Sequence, residues 1–223
     1  MASGMARVAV TMLVCALVAV SGQRLTASAP VRGAVRATDD GRGLAFDASV
    51  DPVSRALIER AVASARPEAQ RLIAAVDGLT TVRIGHPEGA LGTTQSIAGG
   101  RYDVMLDLGT TQRRTGERGV FRLVLHELGH VVDSQLVPAS ERAALDEGVP
   151  SGVPCPAGTQ LGSCAPRAER FAETFAKWAM GNDLGAGLYI GYAVPPPAAG
   201  FDAWAAPLSR LAAPSAPSGT AGR

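Results

Sequence analysis

The segment from Val120 to Val132 constrains the fold of this chain more than any other. It reads Val-Phe-Arg-Leu-Val-Leu-His-Glu-Leu-Gly-His-Val-Val, so His126, Glu127 and His130 lie within a strongly apolar run. In a helix, at about 100° per residue, His130 is only about 40° around the axis from His126 and one turn further along. Three polar side chains are costly to bury without partners, so the fold must place a ligand or partner groups against this face.

The spacing H-E-x-x-H on a helix is typical of a zinc site, because two imidazoles one turn apart can bind the same ion. Glu127 lies beside them, where a carboxylate can take a proton from a water that the metal activates and give it to a leaving amine. The pattern therefore predicts one Zn²⁺ per chain. The alternative is a buried helix with two hydrogen-bonded histidines and a capped glutamate.

A catalytic zinc needs a third protein ligand and an open fourth position. The only other histidine is His86, and the residue six positions after His130 is Leu136, so the metzincin pattern H-E-x-x-H-x-x-G-x-x-H is absent. A carboxylate is therefore expected. Glu169 and Glu173 lie one turn apart on a later predicted helix. The alternative for this helix is an exposed acidic face that pairs with Arg167, Arg170 and Lys177.

Two segments, 126–133 (HELGHVVD) and 169–176 (ERFAETFA), resemble the gluzincin peptidases, in particular the catalytic domain shared by anthrax lethal factor and the secreted Pro-Pro endopeptidases. The resemblance implies Glu127 as the base and Glu173 as the residue that orients a ligand histidine. Asp133 also fits an orienting role, since seven residues return it to nearly the helix face of His126. The zinc ligands implied are His126, His130 and Glu169.

The sequence departs from this family at one position. The family places a tyrosine a few residues before the ligand glutamate, where it stabilises the tetrahedral intermediate. Here that region holds Gly162, Ser163 and Cys164. The candidates left for the role are Tyr189, Tyr192 and His86, each of which has a packing or surface role as its alternative.

The N-terminus has the pattern of a secretory signal, with Arg7 before the apolar run 8–20. Small residues offer cleavage after Ser21 or after Ala29, so residues 1–29 are predicted to be the signal peptide and the protein to be secreted. An uncleaved N-terminal anchor is the alternative. Residues 30–42 are expected to be a flexible mature N-terminus or a short propeptide, residues 43–212 a single zincin-like domain, and residues 213–223 a disordered tail.

Two cysteines remain after signal cleavage, Cys155 and Cys164. An even pair in an exported protein predicts a disulfide, here one that closes a short loop rich in proline and glycine. Metal ligation is the weaker alternative, because two thiols cannot fill a zinc site.

The fold class predicted from the order of elements is α+β, zincin-like, with a small mixed or antiparallel sheet packed on the active-site helix and a later helix that carries the third ligand. Gly109–Gly116 is predicted to be a polar loop. In the strand Arg101–Leu108, the even-numbered residues are predicted to be buried and the odd-numbered ones exposed. Helices are predicted within Asp51–Val76 (with a new start at Pro67), over about Glu117–Leu136, over Pro166–Met180 and within Asp202–Leu211. Strands are predicted at Thr80–Ile84, Leu91–Ala98 and Arg101–Leu108, the last two joined by a tight turn at Gly99-Gly100.

Composition narrows the function. Of 223 residues, 18% are charged and the formal net charge is +1, so no broad basic surface is available for nucleic acid.

The strand Arg101–Leu108 directly precedes the helix of the H-E-x-x-H motif. In zincins an edge strand at the similar position pairs with an extended substrate, which implies a peptide or protein as the partner. The sequence thus predicts a secreted zinc endopeptidase without stable membrane insertion. The alternatives are an inactive zinc-holding module that binds peptides at the cell surface, and a small toxin or effector with the same chemistry.

Overall fold

A computed structural model describes residues 43–149, 165–182 and 194–214 of the chain. The strands are β1 (Ala45–Phe46), β2 (Thr80–Ile84), β3 (Gly92–Ile97) and β4 (Arg101–Leu106). The helices are α1 (Pro52–Ser64), α2 (Pro67–Ala74), α3 (Leu108–Leu136), α4 (Ala139–Gly148), α5 (Arg167–Ala179), α6 (Phe201–Trp204) and α7 (Ala206–Leu211). The prediction of an α+β chain with a small mixed sheet is confirmed.

The four strands form one sheet in the order β1-β2-β4-β3. β1, β2 and β4 are parallel, and β3 runs antiparallel to β4. The expectation that Arg101–Leu108 is an edge strand is wrong, because β2 pairs with β4 from Thr80↔Tyr102 to Ile84↔Leu106 and makes it an inner strand. Among the described residues, the edge beside β4 belongs to β3.

The β3–β4 hairpin forms where it was predicted. Gly99 and Gly100 both have positive φ, 78° and 69°, which suits a tight turn whose two central residues are left-handed. Even-numbered residues of β4 are buried, as the alternation predicts. The prediction that Asp107 is exposed is wrong, because its carboxylate is buried where it caps α3 and accepts a hydrogen bond from the Thr110 amide (2.9 Å).

The helix that carries His126 and His130 is longer than predicted. Residues 109–116 are not a polar loop but the first turns of α3, which begins at Leu108 after the Asp107 cap. Gly116, with φ 70° and ψ −170°, interrupts the helical backbone, and the chain resumes the helix predicted from Glu117 to Leu136. The Asp107 cap and the glycine break explain the error, because polar residues with a glycine at their end also match a loop pattern.

The remaining elements follow the predictions with two additions. Pro67 starts α2, α5 lies within the predicted range 166–180, and α6 and α7 divide the predicted C-terminal helix. β1 and α4 were not predicted. No helix in the described ranges has both the length and the apolar character needed to cross a membrane. The predictions for residues 1–29, for residues 30–42, for Cys155 and Cys164 and for most of 213–223 concern parts of the chain outside these ranges.

Candidate metal centre

The centre is built by the close packing of α3 against α5. A Cβ placed on Gly129 would lie 3.0 Å from the Phe175 ring and 3.3 Å from the Ala172 backbone, so the absence of a side chain lets the two helices approach. Phe171, Phe175 and Trp178 are fully buried on α5 and fix its rotation about its own axis. That rotation turns the glutamate stripe of α5 towards the histidines of α3.

Three side chains converge where the helices face each other. Nε2 of His126 lies 3.0 Å from one carboxylate oxygen of Glu169, and Nε2 of His130 lies 3.5 Å from the other. The candidate ligand atoms of the three residues all lie within 4.8 Å of one another. The structure therefore brings together the three residues that the sequence singles out as zinc ligands.

The donor set and its spacing fit zinc. Two imidazole nitrogens and a carboxylate oxygen are the protein ligands of many catalytic zinc sites. Ligand atoms that bind one tetrahedral zinc, each about 2.0–2.1 Å from the metal, lie about 3.3 Å apart. The two contacts between the histidines and Glu169, 3.0 and 3.5 Å, bracket this separation.

The charges of the cluster favour an ionised Glu169. Burial alone would raise the pKa of Glu169, but hydrogen bonds from His126 and His130 outweigh it and hold the pKa well below its usual range. Burial alone would lower the pKa of His130, but the hydrogen bond to Glu169 and the charge of Glu127 raise it. The carboxylate is thus in the form in which it can bind a cation.

Glu173 lies behind His126, in the fully buried layer between α3 and α5. One of its oxygens is 3.4 Å from Nδ1 of His126, the ring nitrogen that does not face Glu169. Arg122 forms an ion pair with the same carboxylate, and Nζ of Lys177 lies 3.4 Å from it. Glu173 is therefore placed to hold the His126 ring in one orientation, and two cations lie against its carboxylate.

Of the two cations beside Glu173, Lys177 was expected only as a partner of an exposed acidic face, and Arg122 was not singled out from the sequence. Burial lowers the pKa of Arg122 to about 10, and burial together with the charge of Arg122 lowers the pKa of Lys177 to about 8. Lys177 also donates a hydrogen bond to the carbonyl of Val194. A signal was present for Arg122, since it precedes His126 by one helical turn in an otherwise apolar run.

Asp133 is buried on the same helix but contacts a different partner. Its carboxylate forms a two-pronged ion pair with Arg167, one arm of which is 3.0 Å long, and Arg142 lies 3.7 Å away. Arg167 also binds Asp146 of α4 at 2.6 Å. The structure thus places Asp133 where its ion pairs join α5 and α4 to α3, and among the described residues no hydrogen bond or ion pair joins it to His126 or His130.

Glu127 points towards the sheet. Its side chain is 4% exposed, and the hydroxyl of Thr94 on β3 lies 2.8 Å from its Oε2. The same hydroxyl is 3.0 Å from the Glu127 carbonyl. Gly92, also on β3, lies so near that a Cβ there would be 2.4 Å from Oε1. Neither β3 residue was identified from the sequence, which carries no local signal for a contact across more than thirty residues.

His86 is not brought to the cluster. Its side chain is 83% exposed, and Nδ1 lies 2.7 Å from the buried carboxylate of Asp107 at the start of α3. Burial alone would raise the pKa of Asp107, but the hydrogen bonds of His86 and Thr110 lower it. Tyr189 and Tyr192, the other candidates for stabilising an intermediate, lie outside the described residues.

A separate cavity of about 390 Å³ lies between β1, α1 and α2. Its floor is apolar, with Leu44, Phe46 and Ile73 among its walls, and Arg55 stacks on the Phe46 ring at 5.0 Å. None of His126, His130 and Glu169 lines this cavity, so it is distinct from the candidate metal centre.

The ligand assignment predicts an order of effects on zinc affinity. Glu173→Ala is expected to lower the affinity about 10–100-fold, as loss of a residue that orients a ligand does. Glu169→Ala is expected to lower it further, because it removes a donor atom. Isothermal titration of zinc into each folded variant measures both. Retention of zinc by Glu169→Ala together with its loss from Glu173→Ala would show that the two roles are reversed.

Comparison of the chain with protein-family models, with curated proteins and with solved structures gives no match.

Proposed function

We propose that the chain is an exported zinc endopeptidase of the gluzincin type with a zincin-like fold. The observation that carries the proposal is the convergence of His126, His130 and Glu169, with donor atoms within 4.8 Å of one another, beside the buried carboxylate of Glu127. A site that only held a metal for structure would have no need of a base next to the ligands. The predicted signal segment supports export.

Each residue of the centre has a definite task in this proposal. His126, His130 and Glu169 hold one Zn²⁺, which when bound would polarise the peptide carbonyl and lower the pKa of a coordinated water to about 7. Glu127 accepts the proton of the attacking water and delivers it to the departing amine. Glu173 keeps the His126 ring oriented through Nδ1.

The edge strand supplies a means of holding the substrate. The Asp107 amide donates to the Leu91 carbonyl (2.8 Å), so the backbone groups of Leu91 face β4. Because backbone direction alternates along a strand, those of Gly92 and Thr94 face away from β4, on the side of β3 where no other described strand pairs. An extended peptide that adds to this side would pair with Gly92 and Thr94, directly beside Glu127. The substrate class proposed is therefore an extended peptide or an exposed loop of a protein.

Stabilisation of the developing oxyanion is proposed for the metal and a donor from Tyr189 or Tyr192. The segment 183–193 that holds both tyrosines follows α5, the helix that carries Glu169. His86 is less suited to this task, because its described contact is with Asp107 rather than with a residue of the cluster.

Zinc-dependent cleavage of peptides is the experiment that tests the proposal. The purified chain with one equivalent of zinc is incubated with a diverse peptide library, and the products are identified by mass spectrometry. Cleavage is expected with zinc, is expected to stop when a chelator removes the metal, and is expected to return when zinc is restored. Zinc bound at one equivalent without any cleavage would instead support the peptide-binding module.

A further inference from the structure

We propose that Gly92 and Thr94 of β3 are positioning residues for Glu127, and that they fix the base in register with the edge strand. The inference rests on the proposed function, since it assigns them a task in the same reaction. It goes beyond it because neither residue binds metal or belongs to the two helices that build the centre. Thr94 contacts the Glu127 carboxylate and Gly92 leaves space for it, both on the same face of β3.

The contact is made by Thr94. Its hydroxyl lies 2.8 Å from Glu127 Oε2 and 3.0 Å from the Glu127 carbonyl, so the single proton of the hydroxyl is shared between two acceptors of one residue. A hydrogen bond from a neutral donor to a carboxylate is stronger than one between neutral groups. Thr94 thus anchors one oxygen of the base to the strand.

The space is provided by Gly92. A Cβ at this position would lie 2.4 Å from Glu127 Oε1 and 2.8 Å from its carboxyl carbon, far inside van der Waals contact. Gly92 is not among the glycines with positive φ, so its backbone conformation is open to any residue. Room for the carboxylate is therefore the reason for glycine here, and a larger residue would push Oε1 from its place.

Together the two residues determine the position of both carboxylate oxygens. The Thr94 hydroxyl binds Oε2, and the absence of a side chain at Gly92 leaves room for Oε1. They are two positions apart in the strand, so they share one face. Their backbone groups also face the side of β3 where no other described strand pairs. A peptide that pairs with this edge would therefore be fixed relative to the base through the same two residues.

Correct placement of a catalytic group has a large effect on rate, since a misplacement of about 1 Å can lower it about 10²-fold. Thr94→Val preserves the shape of the side chain and removes the donor, and it is expected to lower kcat about 10-fold with KM within about twofold of wild type. Gly92→Ala is expected to lower kcat about 10²-fold, because Glu127 must move. Thr94→Ser, which keeps the hydroxyl, is expected to restore kcat to within about threefold of wild type.

The matched control is Thr93→Val. Thr93 lies on the opposite face of the same strand, so the same loss of a hydroxyl there is expected to leave kcat unchanged. All variants are expected to bind one equivalent of zinc with wild-type affinity, because no ligand is altered. Zinc affinity lowered in Thr94→Val to the same extent as kcat would overturn the positioning role, since the residue would then act through the metal.

A second measurement needs neither metal nor substrate. The Tm of the metal-free protein is measured for the wild type, for Thr94→Val, for Glu127→Ala and for the double variant. Thr94→Val is expected to lower Tm by about 2–4 °C in the presence of Glu127, because the hydrogen bond to the carboxylate is lost. The decrease is expected to be smaller in the Glu127→Ala background, because the carboxylate partner is already gone.

The outcomes separate the two proposals. A wild type that binds zinc and cleaves no peptide overturns the proposed function, and the positioning role with it. An active wild type whose Thr94→Val variant has full kcat overturns the positioning role alone. An equal decrease in Tm in both backgrounds also overturns it, since the hydroxyl would then be independent of the Glu127 carboxylate.

Discussion

Replacing Glu127 by glutamine is expected to lower kcat for peptide hydrolysis by about 10²–10⁴-fold, the range that general acid–base catalysis contributes. Glutamine has nearly the same shape as glutamate, and its amide oxygen can still accept the hydrogen bond of Thr94. It cannot take a proton from water. The decrease is therefore expected in kcat and kcat/KM together, with KM little changed.

Zinc binding distinguishes the loss of the base from disruption of the metal site. The two histidines on either side of Glu127 in the motif are untouched, so Glu127→Gln is expected to hold one equivalent of zinc with wild-type affinity. Glu147→Gln, which changes an exposed carboxylate on α4, is the matched control and is expected to have wild-type kcat. Full activity in Glu127→Gln would contradict the assignment of the base. If the wild type and Glu127→Gln both bind zinc and neither cleaves a peptide, the result would favour the inactive peptide-binding module.

Replacing Glu173 by glutamine is expected to destabilise the metal-free protein by about 3–5 kcal/mol, because it leaves buried charges without their partner. Glu173 is fully buried, and it is the carboxylate that faces both Arg122 and Lys177. Without it, two cations remain together in the layer between α3 and α5. A loss of this size is a large fraction of the 5–15 kcal/mol typical of a whole domain. Urea unfolding without metal measures it free of any contribution from zinc binding.

The matched variant is Arg122→Met. It removes one of the two cations and leaves Glu173 paired with Lys177, so the buried charges remain balanced. Its destabilisation is expected to be clearly smaller than that of Glu173→Gln, even though Arg122 is equally enclosed. Equal losses in the two variants would contradict the charge argument and would point to lost packing volume instead.

The pH dependence of stability follows from the same cluster. Burial and the charge of Arg122 lower the pKa of Lys177 from 10.5 to about 8. Between these two values the unfolded chain binds more protons at this lysine than the folded protein, so this group makes stability rise with pH in that window. Lys177 is the only lysine in the chain, so lysine-selective isotope labelling gives one NMR signal that reports its pKa directly. Glu173→Gln is expected to lower that pKa further, because it removes the attracting charge.

Features with a local signal could be predicted from the sequence. The helix around His126 and His130, the new helix at Pro67, the strand Thr80–Ile84 and the turn at Gly99-Gly100 all lie as predicted. Each depends on periodicity, on a proline or on paired glycines within a few residues, and such signals act through backbone preferences that tertiary contacts do not reverse here. The polar stretch 109–116 shows the limit, because a capped helix with a glycine break has the same composition as a loop.

The spacing of His126, Glu127 and His130 and of Glu169 and Glu173 is a property of single helices, so the amino-acid sequence alone was enough to single out these candidates for the chemistry of the site. What those residues face depended on the tertiary fold. It made β3 rather than β4 the edge strand, directed Asp133 to Arg167, and set Glu173 between two buried cations. It also placed Thr94 against Glu127. The reason is physical: the position of a side chain on its own helix follows from 3.6 residues per turn, whereas its partners across the core depend on how whole elements pack, and that packing is the sum of many contacts distant in sequence.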